Sequence, residues 1–327
     1  MERILKDSRV LVTGGAGFIG SNLVESFLDT GNSVVCLDNF STGKRKNIEP
    51  FLNNQKFKLI EGDIRNYEDC KKAVDNIDFV FHQAALGSVP RSITDPITST
   101  DVNIGGFVKI LYAAKESGVK RFIYAASSST YGDHKDLPKV EDKIGSPLSP
   151  YAITKYVDEL FAANFSNTYG IDVIGLRYFN VFGRHQDPDG AYAAVIPKFV
   201  KMLMKHEVPV INGDGSVSRD FTYIDNVIQA NNLASIVENK EALNQVYNVA
   251  YGVSTSLNQL FSFMKNFAGE FDKEILTIEP LYGPARTGDI AHSLASIEKA
   301  KKLLYYSPIV SVEDGLKEAI KWYWKNL

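Results

Sequence analysis

Tyr151 and Lys155 stand four residues apart, so a helix would place them one turn apart on one face. That pairing can hold a phenolate beside a cation. Spacing alone says little: Tyr67/Lys71 and Tyr131/Lys135 repeat it, and about one such pair is expected by chance. Position separates them. The glycine-rich run Thr13-Gly14-Gly15-Ala16-Gly17-Phe18-Ile19-Gly20 lies upstream, and the hydroxyl run Ser127-Ser128-Ser129 closes an apolar segment shortly before Tyr151. A free phenol, with a pKa of about 10, is a poor base at neutral pH. A neighbouring ammonium and a positively charged nicotinamide ring favour its ionised form. Tyr151 can then take a proton from an alcohol while hydride leaves the same carbon, with Ser127 or a neighbouring hydroxyl holding the oxygen. Tyr67 and Tyr131 lack this setting and read as structural aromatics.

The glycine run supplies the other half of that chemistry. Gly14, Gly17 and Gly20 are three apart, between an apolar strand and a helical pattern. Small residues there allow a tight turn and let a pyrophosphate approach the helix amino end, where free amides favour anions. Asp38 ends the second strand, where an acid accepts the adenosine ribose hydroxyls and repels a 2′-phosphate, which selects NAD over NADP. Lys44 and Arg45 argue weakly the other way. Asp63, after the third strand, is placed to approach the adenine.

These residues need a scaffold, and the first half of the chain has the signature of one. Short β-branched runs alternate with helical patterns: strands at 10–12, 33–38, 57–61, 79–82, 121–126 and 172–177, and helices at 19–29, 102–117 and 151–170. This predicts an α/β fold, a Rossmann-type doubly wound parallel sheet whose ligands sit at the carboxyl ends of the strands. After about Phe179 the pattern loosens, with turn clusters at 187–190 and 212–215. The predicted organisation is an NAD-binding domain over 1–179, open to later returning segments, and a smaller mixed α/β region over 180–327 that mainly binds substrate.

Composition excludes other classes. Hydrophobic residues make up 44% and charged residues 23% of 327 positions, and the net charge is -3, so nothing marks a nucleic-acid or anionic-membrane binder. The five histidines show no metal-ligand spacing, and no metal is expected. Cys36 and Cys70 make no disulfide framework; Cys36 reads as a small core residue. With no signal-like or membrane-length apolar run, a cytoplasmic enzyme is expected.

Longer motifs carry a resemblance over nearly the whole length: residues 83–92, 125–134, 176–184, 190–197 and 212–221. The chain resembles the extended short-chain dehydrogenase/reductases that modify nucleotide sugars. The likeness is greatest to the 4-epimerases of UDP-N-acetylated hexoses in bacterial surface-polysaccharide and O-antigen synthesis. The resemblance implies Ser127, Tyr151 and Lys155 as catalytic residues. It implies cofactor contacts from Gly14, Gly17, Phe18, Ile19, Gly20, Asp38, Asn39, Ser41, Thr42, Gly43, Asp63, Ile64, Ala84, Asn103 and Tyr178, besides Tyr151 and Lys155. It implies sugar contacts from Ser88, Ser128, Ser129 and Ser293, and UDP contacts from Asn180, Ala194, Val195, Asn212, Arg219, Arg286 and Asp289. Two arginines suit a diphosphate, since each gives paired, charge-assisted hydrogen bonds. A homodimer through the 102–117 and 151–170 helices is also implied.

Within that family, a 4,6-dehydratase usually carries an Asp-Glu pair after the strand hydroxyl, and a decarboxylase a Glu. This chain has Ser128, Ser129 and Thr130. A 4-keto sugar held there can only be reduced again, so C4 inversion of a UDP-N-acetylhexosamine, UDP-GlcNAc to UDP-GalNAc, is the expected net reaction. The rivals are a 4-epimerase of the matching UDP-N-acetylhexosaminuronates and, in a different class, a non-catalytic NAD- and UDP-sugar-binding protein. Ser293 is small where relatives restricted to non-acetylated hexoses carry a large aromatic, which favours an acetamido group. Two departures stand out. Ser296 replaces a common Asp and is expected to cap the following helix. His185 replaces a second Arg, with an expected effect near the sugar site or a partner subunit.

Overall fold

The computed structural model describes residues 4–189, 193–285 and 292–327. Six strands arise where the β-branched runs lie: β1 (Arg9–Thr13), β2 (Ser33–Asp38), β3 (Phe57–Glu61), β4 (Phe79–His82), β5 (Arg121–Ser127) and β6 (Val173–Tyr178). Between them run α1 (Phe18–Asp29), α2 (Tyr67–Ala73), α3 (Val89–Thr94), α4 (Pro96–Thr100), α5 (Phe107–Glu116) and α6 (Pro150–Tyr169). The later half adds short strands β7 (Val181–Phe182), β8 (Val210–Asn212), β9 (Ser218–Asp220) and β10 (Thr222–Tyr223), then β11 (Gln245–Val249), β12 (Ser254–Ser256) and β13 (Leu281–Gly283). Its helices are α7 (Val195–Met204), α8 (Ile224–Ile236), α9 (Leu257–Ala268), α10 (Glu298–Leu304) and α11 (Val312–Asn326).

The main sheet is parallel throughout, in the order β11-β6-β5-β4-β1-β2-β3. Both faces are covered, and the pleat sorts the side chains. Val10 and Val12 enter one apolar cluster with α1, α8 and α11, while Leu11 enters the other with α5 and Phe165 of α6. Such two-sided burial explains why the strands are continuous apolar runs rather than alternating ones.

The predicted first domain is open to later returning segments, and one such segment is β11, which pairs with β6 while α8 packs on β5, β6 and β11. Two other sequence expectations change. The helix expected from Val102 begins earlier, as α4, and passes through a π-helical turn at Asp101–Gly106 before α5. Gly106 is pressed against the Ile64 side chain, where a Cβ would come within 2.5 Å. Ser296 does not cap α10. Ile297 holds the cap position without a side-chain hydrogen bond, because Ser296 is tied through its backbone to Lys139 O (2.8 Å) and Asn248 Nδ2 (3.0 Å).

Candidate active site

The turn after β1 sets the geometry. Gly14 adopts φ +67°, and a Cβ on Gly20 would lie 2.1 Å from Gly14 O, so the strand can meet α1 this closely only with glycine at both points. Gly17 occupies the N-cap of α1 with no side-chain hydrogen bond, which leaves the first amides of the helix for an anion. Buried Cys36 backs the turn, and its Sγ would lie 2.5 Å from a Cβ on Gly15.

In front of this turn lies a cleft of about 360 Å³ at the carboxyl ends of the strands. Its walls bring together Gly14, Gly17, Phe18, Ile19, Gly20, Asp38, Asn39, Ser41, Thr42, Gly43, Asp63, Ile64, Ala84, Tyr178, Ser127, Tyr151 and Lys155. Asp38 is buried, and accepts the Ala16 and Phe40 amides at 2.9 and 2.8 Å. Burial raises its carboxyl from the ordinary range against the pull of those two amides, and each oxygen keeps a lone pair for another donor. Asp63 is clamped by Arg65 (2.7 Å) and Asn39 (2.9 Å), and the Arg65 guanidinium holds its carboxyl down at about 2.

One cofactor candidate stands apart. Asn103 is buried behind the cleft wall: its Oδ1 accepts from Leu86 N (2.8 Å) and its Nδ2 donates to Thr154 Oγ1 (3.1 Å). It ties the Leu86 loop to α6. Sequence reading overlooked Gln83, which lines the cleft with both side-chain polar atoms buried and without a hydrogen-bond partner. Its place directly after β4, at a strand's carboxyl end, was the available signal. Free helix amides, an acid at the end of β2 and an orphaned amide in one groove fit a dinucleotide.

The catalytic candidates converge from two elements. Ser149 caps α6, accepting from Ala152 N at 3.1 Å, and Pro150 starts it. Tyr151 therefore sits in the first turn, with its amide donated to Ser92 Oγ at 3.0 Å. Lys155 is 3% exposed and its ammonium donates to Ala125 O (3.0 Å) and to Asp158 Oδ2 (3.3 Å). Ser127 Oγ accepts from Ser129 N (3.1 Å) and Ser129 Oγ (2.9 Å). Ser128 and Ser129 form a 3-10 turn beyond β5, and Ser88 caps α3, accepting from Arg91 N at 3.2 Å; none of the three lines the cleft. Tyr131 is structural: it is buried, donates to Asn248 Oδ1 at 2.7 Å and lies under the Arg177 guanidinium, 4.8 Å from its ring centre. Tyr67 meets Lys71 on the outside of α2, with the ammonium 5.4 Å from its ring centre.

A second cavity, about 350 Å³, gathers Asn180, Ala194, Val195, Asn212 and Arg219. Ala194 caps α7 without a side-chain hydrogen bond, so this helix also presents free amides. Ser293 is half-buried beside that region, its amide donated to Ser218 O at 3.1 Å. Arg286 and Asp289 lie outside the described residues. His185 is in neither cavity. It packs at a tilt against Trp322 (5.1 Å between ring centres) and approaches Asn47 (3.4 Å), which holds Ala16 O beneath the glycine turn, and burial pulls its imidazole down to about 4. Among the described residues no cluster of His, Cys, Asp or Glu could hold a metal, and no helix is long and apolar enough to cross a membrane.

The profile of the NAD dependent epimerase/dehydratase family matches residues 10–250. The chain belongs to that family. It is an NAD-using enzyme of the epimerase type, within the extended short-chain dehydrogenase/reductases. A structure of the UDP-N-acetylglucosamine 4-epimerase from Methanobrevibacter ruminantium M1, in complex with UDP-N-acetylmuramic acid, is similar at TM-score 0.90 and 39% identity, covering 99% of this chain and 100% of that one. The UDP-glucuronic acid 4-epimerase from Bacillus cereus, in complex with UDP-glucuronic acid and NAD, is similar at TM-score 0.87 and 32% identity, over 98% and 100%. A putative UDP-glucose 4-epimerase of Methanocaldococcus jannaschii is 34% identical over 319 residues, 97% of this chain and 99% of that protein.

Proposed function

We propose that this enzyme is a UDP-sugar 4-epimerase that interconverts UDP-GlcNAc and UDP-GalNAc. The observation that carries the reading is the meeting of Tyr151, Lys155 and Ser127 on the wall of the dinucleotide cleft, followed by Ser128, Ser129 and Thr130 rather than any acid or base. NAD, when bound, would supply a hydride acceptor and donor for C4. Tyr151 takes the proton of the C4 hydroxyl and later gives it back. It stands in the first turn of α6, whose amino end is electropositive. Lys155 supplies the neighbouring positive charge. Ser127 Oγ already accepts two hydrogen bonds from Ser129, so its own proton is available to the sugar oxygen. With no further acid or base, the keto sugar is reduced again, and reduction from the opposite face inverts C4.

The cavity holding Asn180, Ala194, Val195, Asn212 and Arg219 suits UDP, with Arg219 and the free amides of α7 for the diphosphate; Arg286 and Asp289 complete the proposed set. The acetyl preference rests on small Ser293 and on likeness to the methanogen UDP-N-acetylglucosamine 4-epimerase. The likeness to the Bacillus cereus uronate enzyme supports the second reading, a UDP-N-acetylhexosaminuronate 4-epimerase. Incubation with UDP-Glc, UDP-GlcNAc and UDP-GlcNAc uronate in turn, with no added cofactor, and NMR of C4 configuration separates the readings. Fastest inversion of UDP-GlcNAc is expected; inversion of the uronate alone supports the rival, and no inversion of any supports a binding protein. Denaturing the purified protein is expected to release NAD rather than NADP.

A homodimer belongs to the same proposal. Apolar side chains stand exposed on α4, α5 and α6: Ile97 is 82% exposed, and Tyr112, Ile153 and Leu160 are exposed as well. Sedimentation velocity of the wild type and of Leu160→Glu is the test, with a dimer and a monomer expected.

A further inference from the structure

Lys155 has a partner that the reaction as described does not use. Asp158, one turn further along α6, is fully buried and its Oδ2 lies 3.3 Å from the Lys155 ammonium. Its Oδ1 is buried with no hydrogen-bond partner. Asp158 does not line the cleft, whereas Lys155 does. An ammonium has three donors; Ala125 O takes one and Asp158 another, which leaves one for the cleft.

We propose that Asp158 is a positioning residue for Lys155: its carboxylate anchors the ammonium from behind the cleft wall and offsets part of the positive charge that favours the Tyr151 phenolate. The inference rests on the reading of Tyr151 as the base.

The surrounding groups leave this role to Asp158. Glu159, its neighbour on α6, is neutralised by a two-pronged pair with Arg177 of β6, at 2.8 and 2.7 Å. Tyr124 of β5 faces Asp158 and is fully buried, which drives its phenol well above the ordinary range and keeps it neutral. His82 of β4 faces Lys155; burial, then the Lys155 charge, pull its imidazole down to about 3, so it is neutral too. Asp158 itself is pushed up to about 7 by burial, against the pull of the Lys155 ammonium.

The test uses the NAD-loaded protein and reads the tyrosinate ultraviolet band, which needs no substrate. Subtracting the Tyr151→Phe titration from that of the wild type isolates Tyr151; the same subtraction is made in an Asp158→Asn background. Asparagine keeps the shape and an acceptor but removes the charge. Tyr151 is expected to ionise about one pH unit lower in Asp158→Asn than in the wild type. Superposed curves overturn the proposal. Should Asp158→Asn not fold, the same subtraction in an Asp158→Ser background decides, and superposed curves there overturn it. Asp158→Ala, which also removes the anchor, is expected to lower kcat about tenfold with KM unchanged; an unchanged kcat overturns the anchoring role. Wild-type protein that inverts no UDP-sugar, yet shows the shifted Tyr151 ionisation, overturns the substrate reading and leaves this one standing.

Discussion

The cofactor cleft and the proposed UDP cavity are built on opposite principles. The cleft is made by backbone. Its walls are the carboxyl ends of β1 to β6 and the turns that follow them, and its donors are amides freed by glycine geometry. Every contributor lies between Gly14 and Tyr178. The UDP cavity is made by side chains on short elements: β7, β8, β9 and the first turns of α7 and α9, drawn from 180–257. Its strands run two or three residues and pair in twos. A rigid first site can keep one chemistry while a looser second site changes specificity, which matches the use of one scaffold for many reactions.

Four substitutions break or sharpen that contrast. Tyr151→Phe acts on the wall of the cofactor cleft, and is expected to lower kcat by about 10²–10⁴-fold while NAD content and UDP binding stay as they were. Turnover by NMR and UDP titration by calorimetry check it; lost UDP binding would mean that the two sites are not separable. Glu159→Gln strikes the scaffold of the cleft alone. It leaves the buried Arg177 guanidinium without its charge partner, and a loss of about 3–5 kcal/mol in urea unfolding is expected. A loss under 1 kcal/mol (about the value of a surface pair) would show that water reaches the pair.

Ser293→Tyr addresses the second site. It is expected to lower kcat/KM for UDP-GlcNAc about 10–100-fold relative to UDP-Glc, because a ring fills the space of the acetamido group. An unchanged ratio would remove Ser293 from the site. The smallest effect is expected from Tyr131→Phe, which repeats the Tyr151 change at the other Tyr–Lys spacing. It removes one buried hydrogen bond to Asn248, costs about 1–2 kcal/mol of stability and leaves kcat unchanged. A dead Tyr131→Phe beside an active Tyr151→Phe would reverse the assignment of the base.

The contrast also explains what was legible. Strands β1 to β6, the glycine turn, Asp38 and the Tyr151/Lys155 pair are set by neighbours in sequence: a period-two or apolar run, a small residue at a forced turn, an i,i+4 spacing. One chain segment contains the whole cause, so the segment can be read. Strand β11 was not readable as part of the main sheet, because its place beside β6 depends on α8 packing across the sheet. The identity of Asn103 as a tie rather than a cleft residue depends on Leu86 and Thr154, which approach it only after folding. The same holds for Ser296, whose backbone is claimed by Lys139 and Asn248 before it can cap α10. Sequence by itself determined the parallel sheet, the cofactor turn and the placing of the proposed acid/base pair. Tertiary structure alone decided which buried polar groups stand behind them, Asp158 against Lys155 and Glu159 against Arg177, because the cost of a buried charge depends on which partner the fold brings to it.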